Sequence, residues 1–181
     1  MDKSFFLKQF FKNFRNTGAV CPSSKYLTSK MLKGIDFSKP IRVVELGPGT
    51  GCMTESILSQ MHPDSELICI EINPTFCKQL KKFENDNKFN LHQASALDFS
   101  SQLDGEKIDY VISGLPLANF KKNEINSIFQ EIESALKPGG KYIQFQYTLK
   151  LKQLFKKSFN EVSKSFTPFN MPPAFVFKCS F

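Results

Sequence analysis

With 181 residues, 41% of them hydrophobic, the chain can bury one sizeable core, and no apolar run approaches the length of a transmembrane helix. Five cysteines (Cys21, Cys52, Cys69, Cys77, Cys179), odd in number and without C-x-x-C spacing, argue against a disulfide framework or a zinc site and for reduced thiols. The net charge of +7 is uneven: residues 1–39 and 148–181 carry +6 and +5, residues 40–147 carry −4, and such basic flanks suit a phosphate-bearing membrane or nucleic acid as well as a solvated lysine surface.

Residues 4–15 read as a helix with Phe6, Leu7, Phe10, Phe11 and Phe14 on one side and Lys8, Lys12 and Arg15 on the other. Phe5 falls outside the apolar stripe. A basic, Phe-rich terminal helix is what an interfacial anchor needs, so residues 1–15 are expected to meet an anionic membrane surface; a helix covering the edge of the core is the alternative. The start of the chain lacks a long apolar stretch and a small-residue cleavage site, which predicts a cytoplasmic protein attached peripherally to the cytoplasmic membrane face. A second helix is predicted over 24–32. Then come a strand at 41–46, a helix at 54–61, a strand at 66–71, a helix at 74–83 and a short strand at 90–93. A strand at 107–113 precedes a helix at 123–136, which Lys137-Pro138-Gly139-Gly140 is expected to stop. A strand at 141–147, a helix at 150–159 and strands at 161–167 and 174–180 complete the chain. Such alternation predicts an α/β fold with a mostly parallel sheet, its ligand at the carboxyl ends of the strands, where Glu45, Glu71, Ser95 and Ser113 fall. Residues 1–39 are read as capping helices and 40–181 as the ligand-binding domain, in one globular unit.

The most informative stretch is Val43-Val44-Glu45-Leu46-Gly47-Pro48-Gly49-Thr50-Gly51. A buried strand empties into a loop with glycine at every second position, and a helix follows. Glycine is needed where backbone turns sharply off a strand and a ligand approaches closely. The second strand ends on Glu71, spaced to accept hydrogen bonds from the two hydroxyls of a ribose. A dinucleotide fingerprint would read G-x-G-x-x-G and hold a pyrophosphate. Here the spacing is G-x-G-x-G, with Glu45 two residues before the first glycine. That form, E-L-G-P-G-T-G, resembles the first motif of class I S-adenosylmethionine (SAM) methyltransferases, in which the loop carries only the amino-acid end and ribose of SAM.

Four further segments sharpen the resemblance: residues 10–15 through 18–24, Ser113-Gly114-Leu115-Pro116-Leu117, Gln144-Phe145-Gln146-Tyr147 and Asn170-Met171-Pro172-Pro173-Ala174. In this order the chain resembles the bacterial phospholipid N-methyltransferases, the soluble type that converts phosphatidylethanolamine towards phosphatidylcholine. The resemblance implies a Rossmann-like fold with a seven-stranded sheet, helices on both faces and an antiparallel C-terminal strand. It implies SAM as cofactor, S-adenosylhomocysteine as product and no metal. The substrate would be phosphatidylethanolamine or a methylated derivative, taken by a monomer from a membrane, with nucleic acid not a partner. By position, Glu45, Gly47, Gly49 and Gly51 would line the methionine end of SAM, and Glu71 would take the ribose with Ile72 against the adenine. Ser95 and Ala96 would sit at the adenine edge, and Ser113 with the Leu115 backbone would face the methyl group. Tyr26 and Tyr147 are the phenols expected near the amine, with plain core packing as the other reading. Three positions depart from the family pattern: Ser95 stands where many relatives carry Asp, Gln146 replaces Thr, and Phe175 replaces Arg.

Three other readings compete. A ribosomal RNA adenine dimethylase pairs a similar loop with a tetrapeptide that needs Asn or Asp for the adenine amine and an aromatic residue to stack on the flipped base. The aligned Gly114-Leu115-Pro116-Leu117 has neither. A small-amine or other aminolipid methyltransferase, for instance one acting on an ornithine lipid, shares the same primary amine chemistry. A SAM-binding module without transfer activity would keep the loop and Glu71.

Overall fold

The computed structural model describes residues 24–181. The helix expected over 4–15 lies outside the described residues, as does the segment 10–23. The strands are β1 (Arg42–Leu46), β2 (Glu66–Ile70), β3 (Phe89–His92), β4 (Ile108–Ser113), β5 (Leu136–Gln146), β6 (Glu161–Thr167) and β7 (Ala174–Ser180). They form one seven-stranded sheet in the order β3-β2-β1-β4-β5-β7-β6. β1 to β5 run parallel, and β7 is antiparallel to both β5 and β6. The fold is therefore the Rossmann-like arrangement expected, with its antiparallel C-terminal strand.

Period-two alternation along the strands sends side chains to two apolar layers. On one face Val44, Ile68, Val111 and Tyr142 pack under α4 (Lys122–Ala135), through Ile125, Ile128, Phe129 and Ile132, and under α5 (Lys152–Ser158), through Phe155. On the other, Val43, Leu67, Ile112 and Ile143 pack against α1 (Lys25–Leu32), α2 (Cys52–Leu58) and α3 (Pro74–Leu80), which contribute Leu27, Met31, Ile57 and Leu80. α1 is thus built into the core. Ser24 caps it by accepting from the Leu27 amide at 3.2 Å.

Two expectations are corrected. α4 stops at Ala135, before Lys137-Pro138-Gly139-Gly140, and Leu136 already pairs with Ile108 as the first residue of β5. The register then jumps to Tyr110 opposite Lys141, so the four residues bulge out of the ladder where Pro138 has no amide to give it. Lys137 pins the bulge to Asp109, its Nζ 2.9 and 3.0 Å from the carboxylate oxygens. Cys69, Cys77 and Cys179 are free thiols, as expected, but Cys52 is disulfide-bonded. Spacing along the chain does not say which thiols the fold brings together.

From β1 the chain proceeds outward through β2 and β3, then crosses back to β4 on the other side of β1. That reversal opens a crevice beyond the carboxyl ends of β1 and β4, where open α/β sheets hold their ligands.

Candidate active site

The loop leaving β1 is fastened to the end of β2. Gly47 donates its amide to the Ile70 carbonyl at 2.9 Å, and the Gly49 amide donates to Glu71 Oε2 at 3.1 Å. Gly51 is left-handed (φ 85°) at the start of α2, and a Cβ there would lie 2.7 Å from the Phe83 ring and 2.9 Å from Leu80. It therefore seats the loop against the segment after β2. Gly51 does not line the crevice, contrary to expectation.

Two buried carboxylates flank this loop. Glu45 accepts from Thr54 Oγ1 at 2.7 Å and from Cys69 Sγ at 3.4 Å. Burial pushes its carboxyl up to about 7, against the pull of the Thr54 and Cys69 bonds, so its charge changes near neutral pH. Glu71 Oε1 accepts from the Asn73 amide at 2.8 Å while Oε2 holds Gly49. Burial raises its carboxyl as well, opposed by these backbone donors. Glu71 follows β2, and its own amide donates to the His92 carbonyl at the end of β3 at 3.1 Å. Ile72 beside it is exposed, and Ser95 and Ala96 lie just past β3. There the Ser95 hydroxyl accepts from the Leu97 amide at 3.2 Å, and Ala96 packs on the core.

The loop after β4 closes the crevice from the other side. Gly114 donates its amide to the Leu46 carbonyl at 2.9 Å, and a Cβ on it would stand 2.8 Å from the Gly47 carbonyl oxygen. Only glycine allows the two loops this approach. Gln144, fully buried, accepts from the Tyr142 hydroxyl at 2.6 Å and donates Nε2 to the Leu115 carbonyl at 3.1 Å. Gln146 Nε2 reaches the same carbonyl at 3.4 Å. Leu115 is thus oriented by a buried chain running from Tyr142. Gly114, Gln144 and Tyr142 were not singled out as site residues. The detectable signal was a pair of glutamines on one parity of a strand that should be apolar throughout.

Between the two loops lies a cavity of about 250 Å³. Glu45, Gly47, Gly49 and Leu115 line it, together with Asn119, Phe145, Gln146 and Tyr147. Among the described residues, no arginine, lysine or histidine lines it. Tyr147 is partly buried beside Asn170, and burial pushes its phenol up. Of the expected residues, Gly51, Glu71, Ile72, Ser95, Ala96, Ser113 and Tyr26 are not in its lining. Ser113 is fully buried; its hydroxyl accepts from the Leu115 amide at 3.3 Å and meets Tyr142 on the α4 side of the sheet. Tyr26 is 63% exposed and packs on Phe169, its ring centroid 5.2 Å away. Strand parity turned the serine inward, and the turn of α1 sent the tyrosine outward.

The family model described as "Methyltransferase domain" matches residues 43–140. The chain is 32% identical to an ornithine lipid N-methyltransferase of Singulisphaera acidiphila over 98% of its own length and 95% of that protein. This chain belongs to the class I SAM-dependent methyltransferases. A weaker likeness, 34% identity, joins it to the ribosomal RNA small subunit methyltransferase A of Pseudomonas aeruginosa, covering 60% of this chain and 38% of that one. Among solved structures, the N-methyltransferase NodS of Bradyrhizobium japonicum shares the fold with a TM-score of 0.68, at 14% identity, over 85% of this chain and 94% of that one. The cofactor of the methyltransferase is SAM, and the residues present fit it. The β1 loop is an open cradle at Gly49, where a Cβ would meet nothing within 4 Å, and buried carboxylates stand on both sides.

Proposed function

We propose that the protein N-methylates the amine of a lipid head group at a membrane surface. The observation that carries this reading is the alignment with a lipid N-methyltransferase over nearly the whole chain, including the segments beyond the SAM loop. In this reading Glu71 accepts the ribose hydroxyls of SAM, with Ile72, Ser95 and Ala96 along the adenine. Glu45, Gly47 and Gly49 surround the methionine end. Bound SAM supplies an electrophilic methyl group on a sulfonium, so the protein's task is to position the amine and keep water away.

The chain's own residues suit that task. An apolar cavity disfavours the ammonium form of an incoming amine, which must be unprotonated to attack. The Leu115 carbonyl, held by Gln144 and Gln146, and the Tyr147 phenol would orient it by accepting hydrogen bonds from its N–H groups, and the proton that the methylated amine sheds would pass to water. Gly114 offers no side chain for an adenine amine, and a Cβ there is excluded by the Gly47 carbonyl, which weighs against a nucleobase substrate.

Two head groups compete. Phosphatidylethanolamine follows from the family resemblance. An ornithine lipid follows from the S. acidiphila relative and gains weight from the cavity, which has no cationic side chain among the described residues to meet a phosphate. Phe175, which replaces the Arg of the family pattern, packs against Phe166 at a tilt, with ring centroids 4.9 Å apart. Purified protein, methyl-labelled SAM and mixed micelles of each lipid test the choice. Faster labelling of ornithine lipid is expected. Faster labelling of phosphatidylethanolamine would mean that a phosphate-binding group is supplied from elsewhere in the chain. Attachment to the cytoplasmic membrane face through residues 1–15 remains part of the proposal.

A further inference from the structure

The turn joining β6 to β7 exposes more apolar surface than a monomer has reason to. Within 168–173, Phe169 is 69% exposed and Met171 89%, and the three prolines are exposed as well. Tyr26 of α1 packs against Phe169, and Phe166, 46% exposed, extends the patch along β6. Isolated apolar residues on a surface need no explanation, but contiguous ones do.

The turn is held in place from below. Asn170, the one buried residue between Pro168 and Pro173, accepts the Ser24 amide at 2.9 Å and donates Nδ2 to the Pro172 carbonyl at 2.7 Å. It also lies beside Tyr147, a cavity residue. The apolar turn therefore adjoins the cavity through Asn170.

Among the described residues, the charged side chains shown beside it are lysines. Lys30 Nζ donates to the Phe166 carbonyl at 2.7 Å, and Lys164 Nζ lies 5.4 Å from the centre of the Phe175 ring, which packs against Phe166. Lys25 is exposed beside Tyr26. No acidic residue follows Glu161 in the chain, and none lies between Ser24 and Lys33. Exposed Phe, Tyr, Met and Pro fringed by lysine, with no acid among them, match the boundary between anionic head groups and acyl chains.

We propose that the 168–173 turn, with Tyr26 and Phe166, inserts into the interfacial layer of an anionic bilayer and sets the cavity against the lipid surface. The inference rests on the lipid-amine reading, since a substrate whose acyl chains stay in the bilayer must meet the cavity at that surface. It adds a docking element distinct from the expected helix over 4–15.

The chain has no tryptophan, so Phe169→Trp gives a single reporter at the tip. Mixed with vesicles of equal parts phosphatidylcholine and phosphatidylglycerol, the full-length variant should shift to shorter emission wavelengths and be quenched by brominated acyl chains. Phe169→Asp with Met171→Asp should lower partitioning onto the same vesicles by roughly tenfold or more, because two large apolar side chains no longer leave water. It should leave the methylation of a micellar short-chain aminolipid near the wild-type rate. A tryptophan that stays in water with vesicles present would overturn the docking turn, even if lipid is still methylated. So would emission already shifted before vesicles are added, which would mean that protein covers the patch. Insertion without any lipid methylation would keep the docking turn and overturn the lipid-amine reading.

Discussion

Replacing Glu71 with alanine is expected to weaken SAM binding by roughly tenfold or more, since an unmet buried hydrogen-bonding group costs about 1–3 kcal/mol. The carboxylate is built into the ligand loop as well as facing it: Oε2 holds the Gly49 amide and Oε1 holds the Asn73 amide. Alanine removes both anchors together with the proposed ribose acceptor. Glu71→Gln separates the two roles, because its one carbonyl oxygen can still accept a backbone amide while the second acceptor becomes a donor. Calorimetric titration with SAM should rank wild type above glutamine and glutamine above alanine. Equal affinity for all three proteins would remove Glu71 from the site.

The second large effect is expected from Gly114→Ala. The added methyl would stand 2.8 Å from the Gly47 carbonyl oxygen and 3.8 Å from that of Leu46, both backbone atoms that cannot rotate away. The β1 and β4 loops must part, and the strand pair that ends at Leu46 opposite Ser113 loses its closing hydrogen bond from Gly114. Overpacking of this kind costs roughly 1–3 kcal/mol. A lower denaturant midpoint with an unchanged slope is expected, accompanied by a loss of methyl transfer larger than the loss of stability explains, because Leu115 moves with the loop. Wild-type midpoint and turnover would show that the two loops tolerate separation and that their contact does not define the cavity.

Much of this architecture was legible from the sequence. Apolar runs separated by periodic helices pointed to a mostly parallel α/β sheet, and the glycine loop and Glu71 fell at the carboxyl ends of its first two strands. These signals are local, carried by backbone conformation and by spacing of three to four or two residues. The amine side was harder to read. Ser113 ends β4 as expected, yet its parity places it under the sheet with Tyr142, and Tyr26 sits on the outward turn of α1. Gly51 reads as a ligand glycine but answers to Phe83, 32 residues away along the chain. Contacts of that kind depend on which elements the fold stacks together. The start of β5 was missed for a related reason: Pro138 and Gly139 look like a terminator, but pairing of Leu136 with Ile108 extends the strand behind them.

The central claim, methyl transfer to a lipid amine, is tested most directly by incubating the purified protein with methyl-labelled SAM and a crude bacterial lysate. The products are then separated into lipid, RNA, protein and small molecules. Label is expected in the lipid fraction, on a head-group amine. Label in the RNA fraction, with none in lipid, would contradict the account and give the basic surface and the likeness to ribosomal RNA methyltransferases the meaning denied them here.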